Sequence, residues 1–279
     1  NFRSLFAALV LMIVVGVLDD MHELSPRLRL VAQIIAAFLV SLWGGAVLTQ
    51  LGPIFYPGWP IVLDAALALP LSLLGIMTLI NAVNMLDGQD GLCGGVALIQ
   101  LLSMAVLAWH AQHDASVHML LLLSVCLLGF LLFNMRWLLG NKTHVFLGDA
   151  GSTCLGLVLA WFAIKGASGP HPVAPFMAYV WILGLPILDI LAAIIRRVLM
   201  KQSPLAADRG HMHHLIHRLC GINVSVPLLY LFSMVCAAVG VMGALYQCPA
   251  YLLFWPFVGL LTAYTAFVVF VPSLIDHKK

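Results

Sequence analysis

"NAVNMLDGQDGLCGG", residues 81–95, sets two Asn, two Asp and four Gly between two long apolar runs. Polar groups this dense are costly inside hydrocarbon, so the stretch belongs where one membrane span ends and the next begins. The composition agrees. Of 279 residues, 63% are hydrophobic and only 9% charged, against about 25% charged in soluble domains. A soluble fold could not hide so much apolar surface, and the chain reads as an all-α polytopic membrane protein.

A spanning helix needs about 20 apolar residues. Nine such runs are present, at 3–18, 28–48, 61–81, 92–110, 115–135, 150–167, 173–195, 223–246 and 250–272. Pro and Gly mark several joints, as in "LGPIFYPGWP" (51–60) and "KGASGPHPVAP" (165–175). The run Leu5 to Leu18 ends in Asp19-Asp20 without a small-residue cleavage site, unlike a signal peptide. The six Cys are scattered and form no C-x-x-C pair, so they read as small buried side chains.

Nine spans alternate sides, and the basic residues sort with them. Arg27, Arg29, Arg136, Lys142, Arg196, Arg197, Lys201, Arg209, Arg218, Lys278 and Lys279 fall on one side; only Arg3 and Lys165 fall on the other. By the positive-inside rule the first side is cytoplasmic. Four polar clusters share it: "LDDMHE" (18–23), "NAVNMLDGQDG" (81–91), "KTHVFLGDAGS" (142–152) and "DRGHMHHLIHR" (208–218). Four such loops on one face predict one composite site at the membrane surface.

Each cluster has a plain reading beside the chemical one. A helix C-terminus carries partial negative charge, so Asp19-Asp20 followed by Glu23 points to a cation or an incoming cationic group. Asn81, Asn84 and Asp87 repeat every three residues and share roughly one helical face. Capping accounts for Asp90 and some glycines, but not for those three together. Asp149 precedes an apolar run and reads equally as an N-cap, and the helix it opens would offer free N–H groups to a phosphate. His211, His213, His214 and His217, with Arg209 and Arg218, suit a phosphate better than zinc. The zinc pattern H-E-x-x-H needs a Glu after its first His, and His214 holds that place. Asp189 lies inside a span and reads either as functional or as a partner of Arg196 or Arg197.

This inventory suits Mg²⁺, which takes one or two carboxylates plus substrate phosphates, and phosphoryl transfer, which needs mainly positioning and charge stabilisation. No P-loop or dinucleotide fingerprint is present. A secondary transporter would instead place its acids near the midplane of interrupted helices. An intramembrane zinc hydrolase is the third reading.

"LDD", "NAVNMLDGQDGL", "VFLGDAGS" and "HMHHLIHRLCG" occur in the order seen in the polyprenyl-phosphate N-acetylhexosamine-1-phosphate transferases, glycosyltransferase family 4, and the chain resembles that family over nearly its whole length. The resemblance implies a single integral transferase domain over 1–279, with ten or eleven spans in a full-length protein and so one or two further helices upstream. It implies transfer of GlcNAc-1-phosphate from UDP-GlcNAc to undecaprenyl phosphate with release of UMP, dependent on Mg²⁺ or Mn²⁺. This would be the initiating step of lipid-linked surface glycan synthesis at the bacterial cytoplasmic membrane, with the site on the cytoplasmic face. It implies no nucleic-acid partner and leaves a homodimer open. Asp19 and Asp20 match the acidic pair near the lipid phosphate, and Asn84 and Asp149 match metal positions. Asp87 and Asp90 match the nucleotide-side acids, and Arg197, His211, His213 and His214 match the substrate-binding basic positions. The peptidoglycan branch carries D-D-x-x-K and three consecutive His, whereas this chain has D-D-x-x-E and H-x-H-H. That favours the GlcNAc branch; another N-acetylhexosamine or the phospho-MurNAc-pentapeptide branch is the alternative.

Overall fold

The computed structural model describes residues 2–135, 145–169, 171–203 and 211–276, the last six by their backbone alone. Arg136, Lys142, Arg209, Lys278 and Lys279, and the parts of two polar loops at 142–144 and 208–210, lie outside the described residues. Helices dominate. Eight of them are long and apolar enough to cross a membrane, and a bent pair supplies a ninth span among the described residues.

The chain enters on α1 (Arg3–His22) and turns at Ser25-Pro26, where Ser25 caps α2 (Pro26–Phe38) and Pro stands in the first turn. A π-helical turn (Leu39–Trp43) extends α2. A small antiparallel hairpin follows, β1 (Gln50–Gly52) on β2 (Ile61–Val62). Then come α3 (Ala65–Met85), α4 (Leu92–His110), α5 (Asp114–Asn134) and α6 (Gly148–Ala167). α7 (Phe176–Ile182) and α8 (Gly184–Leu199) form the bent pair, α9 (Met212–Cys220) is short, and α10 (Ile222–Leu245) and α11 (Ala250–Asp276) are the last described helices.

Two expectations change. The run expected to span from 61 begins instead as β2. The helix opens at Ala65 because the Asp64 side chain accepts from the Leu67 N–H at 2.9 Å, capping it. The run 173–195 is not straight: α7 and α8 meet at 82°. Gly184 and Pro186 stand at that break, where Pro cannot donate into the preceding turn.

α6 is the most enclosed span and packs against α1, α3 and α4. Helices in lipid gain little from burying apolar side chains against one another, so close approach by small residues matters. Gly16 is such a point, since a Cβ there would stand 2.3 Å from the Ala150 Cα. α5, by contrast, leaves Leu122 and Val125 exposed, as a lipid-facing helix does.

The two ends of the bundle differ in chemistry. At one end the exposed large side chains include Trp43, Tyr56, Trp59, Trp109, Tyr246 and Trp255, the amphipathic rings that favour a membrane–water interface. The same end holds Arg3 and Lys165, the first turn of α1 and the last of α6. The opposite end gathers the described parts of all four polar loops.

Candidate active site

The end of α1, the end of α3 and the start of α6 meet through side chains. Asp20 reaches from α1 to the first turn of α6, accepting from the Asp149 N–H at 2.9 Å and the Ala150 N–H at 3.4 Å. A carboxylate at a helix N-terminus is favoured by the dipole and by the free N–H groups there. Two of the N–H groups expected to await a phosphate are therefore occupied by Asp20, and it is Asp20 rather than Asp149 that caps α6 from outside.

Asp19 is buried at 6% exposure. Its Oδ1 accepts from the Leu24 N–H at 2.7 Å, and its Oδ2 lies 3.2 Å from Arg29 on α2. The same guanidinium nitrogen stands 3.4 Å from Asp149 Oδ2. The other Asp149 oxygen accepts from the Asn84 side-chain nitrogen at 2.9 Å, and that nitrogen also reaches Ser152 Oγ at 2.8 Å. Asn84 thus presents its nitrogen, not its oxygen, to Asp149. Asn81, on the same face of α3, turns to α2 instead. It exchanges hydrogen bonds with Gln33 at 2.8 and 3.3 Å. Sharing a helical face does not bring all three polar residues into the site.

A cleft of about 490 Å³ adjoins this cluster, with Asp87, Gly88, Asp90, Asn134, His214 and His217 among its walls. Asp87 sits in the turn between α3 and α4. Desolvation by the surrounding protein pushes its pKa up to about 6, and the nearby charges of Asp149, Asp20 and Asp90 add to the rise.

The histidines are held from beneath. His211 Nδ1 lies 2.8 Å from Asp189 Oδ2, while Asp189 Oδ1 accepts from the Met212 N–H at 3.0 Å and from the Tyr264 hydroxyl at 2.9 Å. Asp189 is buried and ties the His loop to α8. His213 is 1% exposed, its ring between those of His211 and His214, with centroids 5.8 and 4.0 Å away. Both its ring nitrogens are buried without a hydrogen-bond partner. Burial, reinforced by the charges of its His neighbours, lowers its pKa to about 4. Gly88 makes this packing feasible: a Cβ there would stand 2.6 Å from His213 Nε2. Arg197 lies buried in the last turn of α8.

Several contributors carried no sequence signal of their own. Gln89 donates to the His213 carbonyl at 2.8 Å and accepts from Ser225 at 2.8 Å, clamping the His loop to the 81–91 turn. Asn134 accepts from the Gly91 N–H at 2.6 Å and donates to the Val145 carbonyl at 2.8 Å, tying that turn to the approach to α6. Arg29 counted only toward charge asymmetry, and Tyr264 not at all.

Asp19 and Asp149 present carboxylate oxygens to the same spot, and such ligands suit a hard cation. No group of three or more His, Cys, Asp or Glu among the described residues forms a ready-made cage. Mg²⁺ does not require one, because it is held by one or two carboxylates together with substrate phosphates. The Arg29 guanidinium between Asp19 and Asp149 shows that this spot accepts a positive charge. The residues present fit such an ion.

Residues 2–167 match the profile described as Glycosyl transferase family 4. The chain belongs to this family. A Haemophilus influenzae protein named undecaprenyl-phosphate alpha-N-acetylglucosaminyl 1-phosphate transferase is 35% identical over 265 residues, covering 94% of this chain and 74% of the relative. A Yersinia pestis protein of that name is 32% identical over 246 residues, covering 87% and 66%. One from Escherichia coli O157:H7 is 32% identical over 208 residues, covering 74% and 56%. The chain therefore spans between 56 and 74% of the length of these curated relatives. All three of the polar motifs in the first 167 residues, ending with "FLGDAGS", fall within the family match.

Proposed function

We propose that this family member transfers GlcNAc-1-phosphate from UDP-GlcNAc to undecaprenyl phosphate, giving undecaprenyl-diphosphate-GlcNAc and UMP. One observation carries the reading: sequence-distant motifs converge at one end of the bundle into adjacent carboxylate and histidine halves, with Asp149 hydrogen-bonded to both Asn84 and Asp20. The names of the relatives supply the sugar and the lipid. The excess of basic residues at this end supports a site on the cytoplasmic face of the bacterial inner membrane.

In this reading Asp149, with Asn84 beside it, holds Mg²⁺ or Mn²⁺, which when bound neutralises charge on the diphosphate. The nucleotide lies in the cleft along Asp87 and Asp90, while His211, His213, His214 and Arg197 face the diphosphate. A phosphate monoester has a second pKa of about 6, so the lipid phosphate arrives largely as a dianion. Its oxygen forms a bond to the sugar-bearing phosphorus, the diphosphate bond breaks, and the electron pair leaves with UMP. Asp19 takes the residual proton, or orients the lipid phosphate through the metal or a basic neighbour such as Arg29. Asp20 keeps the start of α6, and with it Asp149, in register.

The test follows UMP release from UDP-sugars with undecaprenyl phosphate, with and without divalent cation. UMP formed from UDP-GlcNAc only when both lipid and cation are present supports the reading. A burst of one UMP per site without lipid would replace direct displacement by a covalent aspartyl intermediate.

A further inference from the structure

We propose that Arg29 is the residue that grips the phosphate of the lipid acceptor, and that without a divalent cation it is parked between Asp19 and Asp149, where the cation belongs. The proposal rests on the transferase reading above and assigns a role to a residue outside the four motifs.

The geometry distributes the acidic groups unequally. Asp20 commits both oxygens to the N–H groups of α6, and Asp149 Oδ1 is held by Asn84. That leaves Asp19 Oδ2 and Asp149 Oδ2 to share one cation, and Arg29 supplies it at 3.2 and 3.4 Å. Those oxygens come from elements far apart in the chain, so the guanidinium bridges α1 to α6 from its place on α2. Its side chain is 42% exposed while that of Asp19 is 5% exposed. The arginine therefore reaches in from the surface and is free to withdraw.

Its chemistry suits both places. Mg²⁺ takes one or two carboxylates, so its arrival at this pair would displace the guanidinium. A guanidinium offers a planar fork that matches a phosphate in two parallel hydrogen bonds. The acceptor phosphate, a dianion, must approach the Asp19 carboxylate, and like charges repel unless a cation accompanies them. Arg29 is already in contact with Asp19 and sits in the first turn of α2, beside the loop that leaves the membrane end of α1. When the ion enters, the same side chain moves by one position and pairs with the incoming phosphate.

The experiment compares the whole chain in detergent with R29Q and R29K. Free Mn²⁺ is followed by electron paramagnetic resonance without substrates, and steady-state constants are then measured for each substrate. A hydrogen bond to a charged group is worth enough to change an equilibrium about tenfold or more. R29Q is therefore expected to bind Mn²⁺ about tenfold more tightly, because the competing cation is gone. It should also raise the KM for undecaprenyl phosphate about tenfold, with the KM for UDP-GlcNAc nearly unchanged. R29K, a point charge without the fork, should fall between. Unchanged or weaker Mn²⁺ binding in R29Q overturns the parking, and an unchanged lipid KM overturns the grip. Arginine modification by phenylglyoxal tests the wild type without a variant. Labelling of Arg29 should accelerate with Mn²⁺ and be blocked by undecaprenyl phosphate; labelling indifferent to both refutes the proposal. If the wild type releases no UMP from UDP-GlcNAc, the transferase reading fails, while the Mn²⁺ and labelling measurements still judge the parking.

Discussion

The carboxylate half of the site and its histidine half are built on opposite terms. Around Asp19, Asp20 and Asp149 every acidic group meets something that neutralises it or donates to it: Arg29, the start of α6, or the Asn84 amide. Around His213 the reverse holds. A buried ring keeps two nitrogens without partners, and the anchoring is indirect, through Asp189 to His211 and through Gln89 to the backbone. Buried polar groups are nearly always paired, so the His213 nitrogens are open to a water, an ion or a substrate group. The first half is arranged around a positive charge that can be exchanged. The second offers polar nitrogens to a partner that is not part of the chain. In the proposed reading a diphosphate bound with a divalent cation serves both halves.

The largest effect is expected where the first half loses its charge. Asp149→Asn keeps the shape but removes a carboxylate from a hard-cation position. Outer-shell partners of metal ligands typically cost about 10–100-fold when lost, so loss of Asp149, the proposed direct ligand, should exceed about a hundredfold in kcat/KM, with the protein still folded in the membrane. Near-normal turnover at ordinary Mg²⁺ would reduce Asp149 to a helix-terminus residue and erase the contrast between the halves.

Asp189→Asn breaks the second half from beneath. It weakens the hold on His211, the Met212 N–H and Tyr264 together. The KM for UDP-GlcNAc should rise about tenfold, the worth of a hydrogen bond to a charged group, while Mn²⁺ binding stays unchanged. Tyr264→Phe removes one of the three bonds and should show a smaller rise in the same constant. A fall in Mn²⁺ binding in either variant would mean that the two halves share the ion.

Acidity separates the halves by sign. The Asp87 carboxyl titrates at about 6 rather than near its ordinary 3.8. Between those values the folded protein keeps a proton that the unfolded chain has lost, so stability declines as pH rises through this window. His213 titrates at about 4 rather than near 6.5. As pH falls from 6.5 to 4 the unfolded chain gains a proton the folded protein refuses, so stability declines in the other direction. Thermal melts in EDTA from pH 4 to 7 should therefore change slope oppositely in two variants. Asp87→Asn removes the decline toward high pH, and His213→Phe removes the decline toward low pH. Parallel profiles would show that neither group carries the proton assigned to it.

Most of the architecture was legible because each span is a single apolar run and each motif a polar interruption. The misreadings are local. Ile61-Val62-Leu63 is apolar enough to pass for the start of a span, although Asp64 behind it was a cap signal. The bend between α7 and α8 was marked by Gly184 and Pro186, yet the hydropathy runs through it unbroken. The site divides similarly. Asp19, Asp87, Asp149 and the histidines stand out by type and spacing. Arg29, Gln89 and Tyr264 gain their roles from partners 120, 124 and 75 residues away, and no periodicity encodes a contact at that separation.

The smallest effect tests the discrimination between Asn81 and Asn84, which lie one turn apart in identical chemical form. Asn84 donates to the carboxylate of Asp149, the proposed cation ligand, so Asn84→Ala should weaken Mn²⁺ binding along with activity. Asn81 bonds Gln33 and its own helix, and its substitution should leave both KM values and Mn²⁺ affinity unchanged. The cost falls on stability alone. Hydrogen bonds between helices in membranes average about 0.6 kcal/mol and reach about 1.7, so Asn81→Ala should lower stability by roughly that range. Part of the loss comes from stranding the buried Gln33 amide. Replacing both residues by Leu removes the stranded group and should recover much of the loss. If Asn81→Ala shifts Mn²⁺ binding as Asn84→Ala does, the site extends a full turn deeper along α3 than the Gln33 pairing allows.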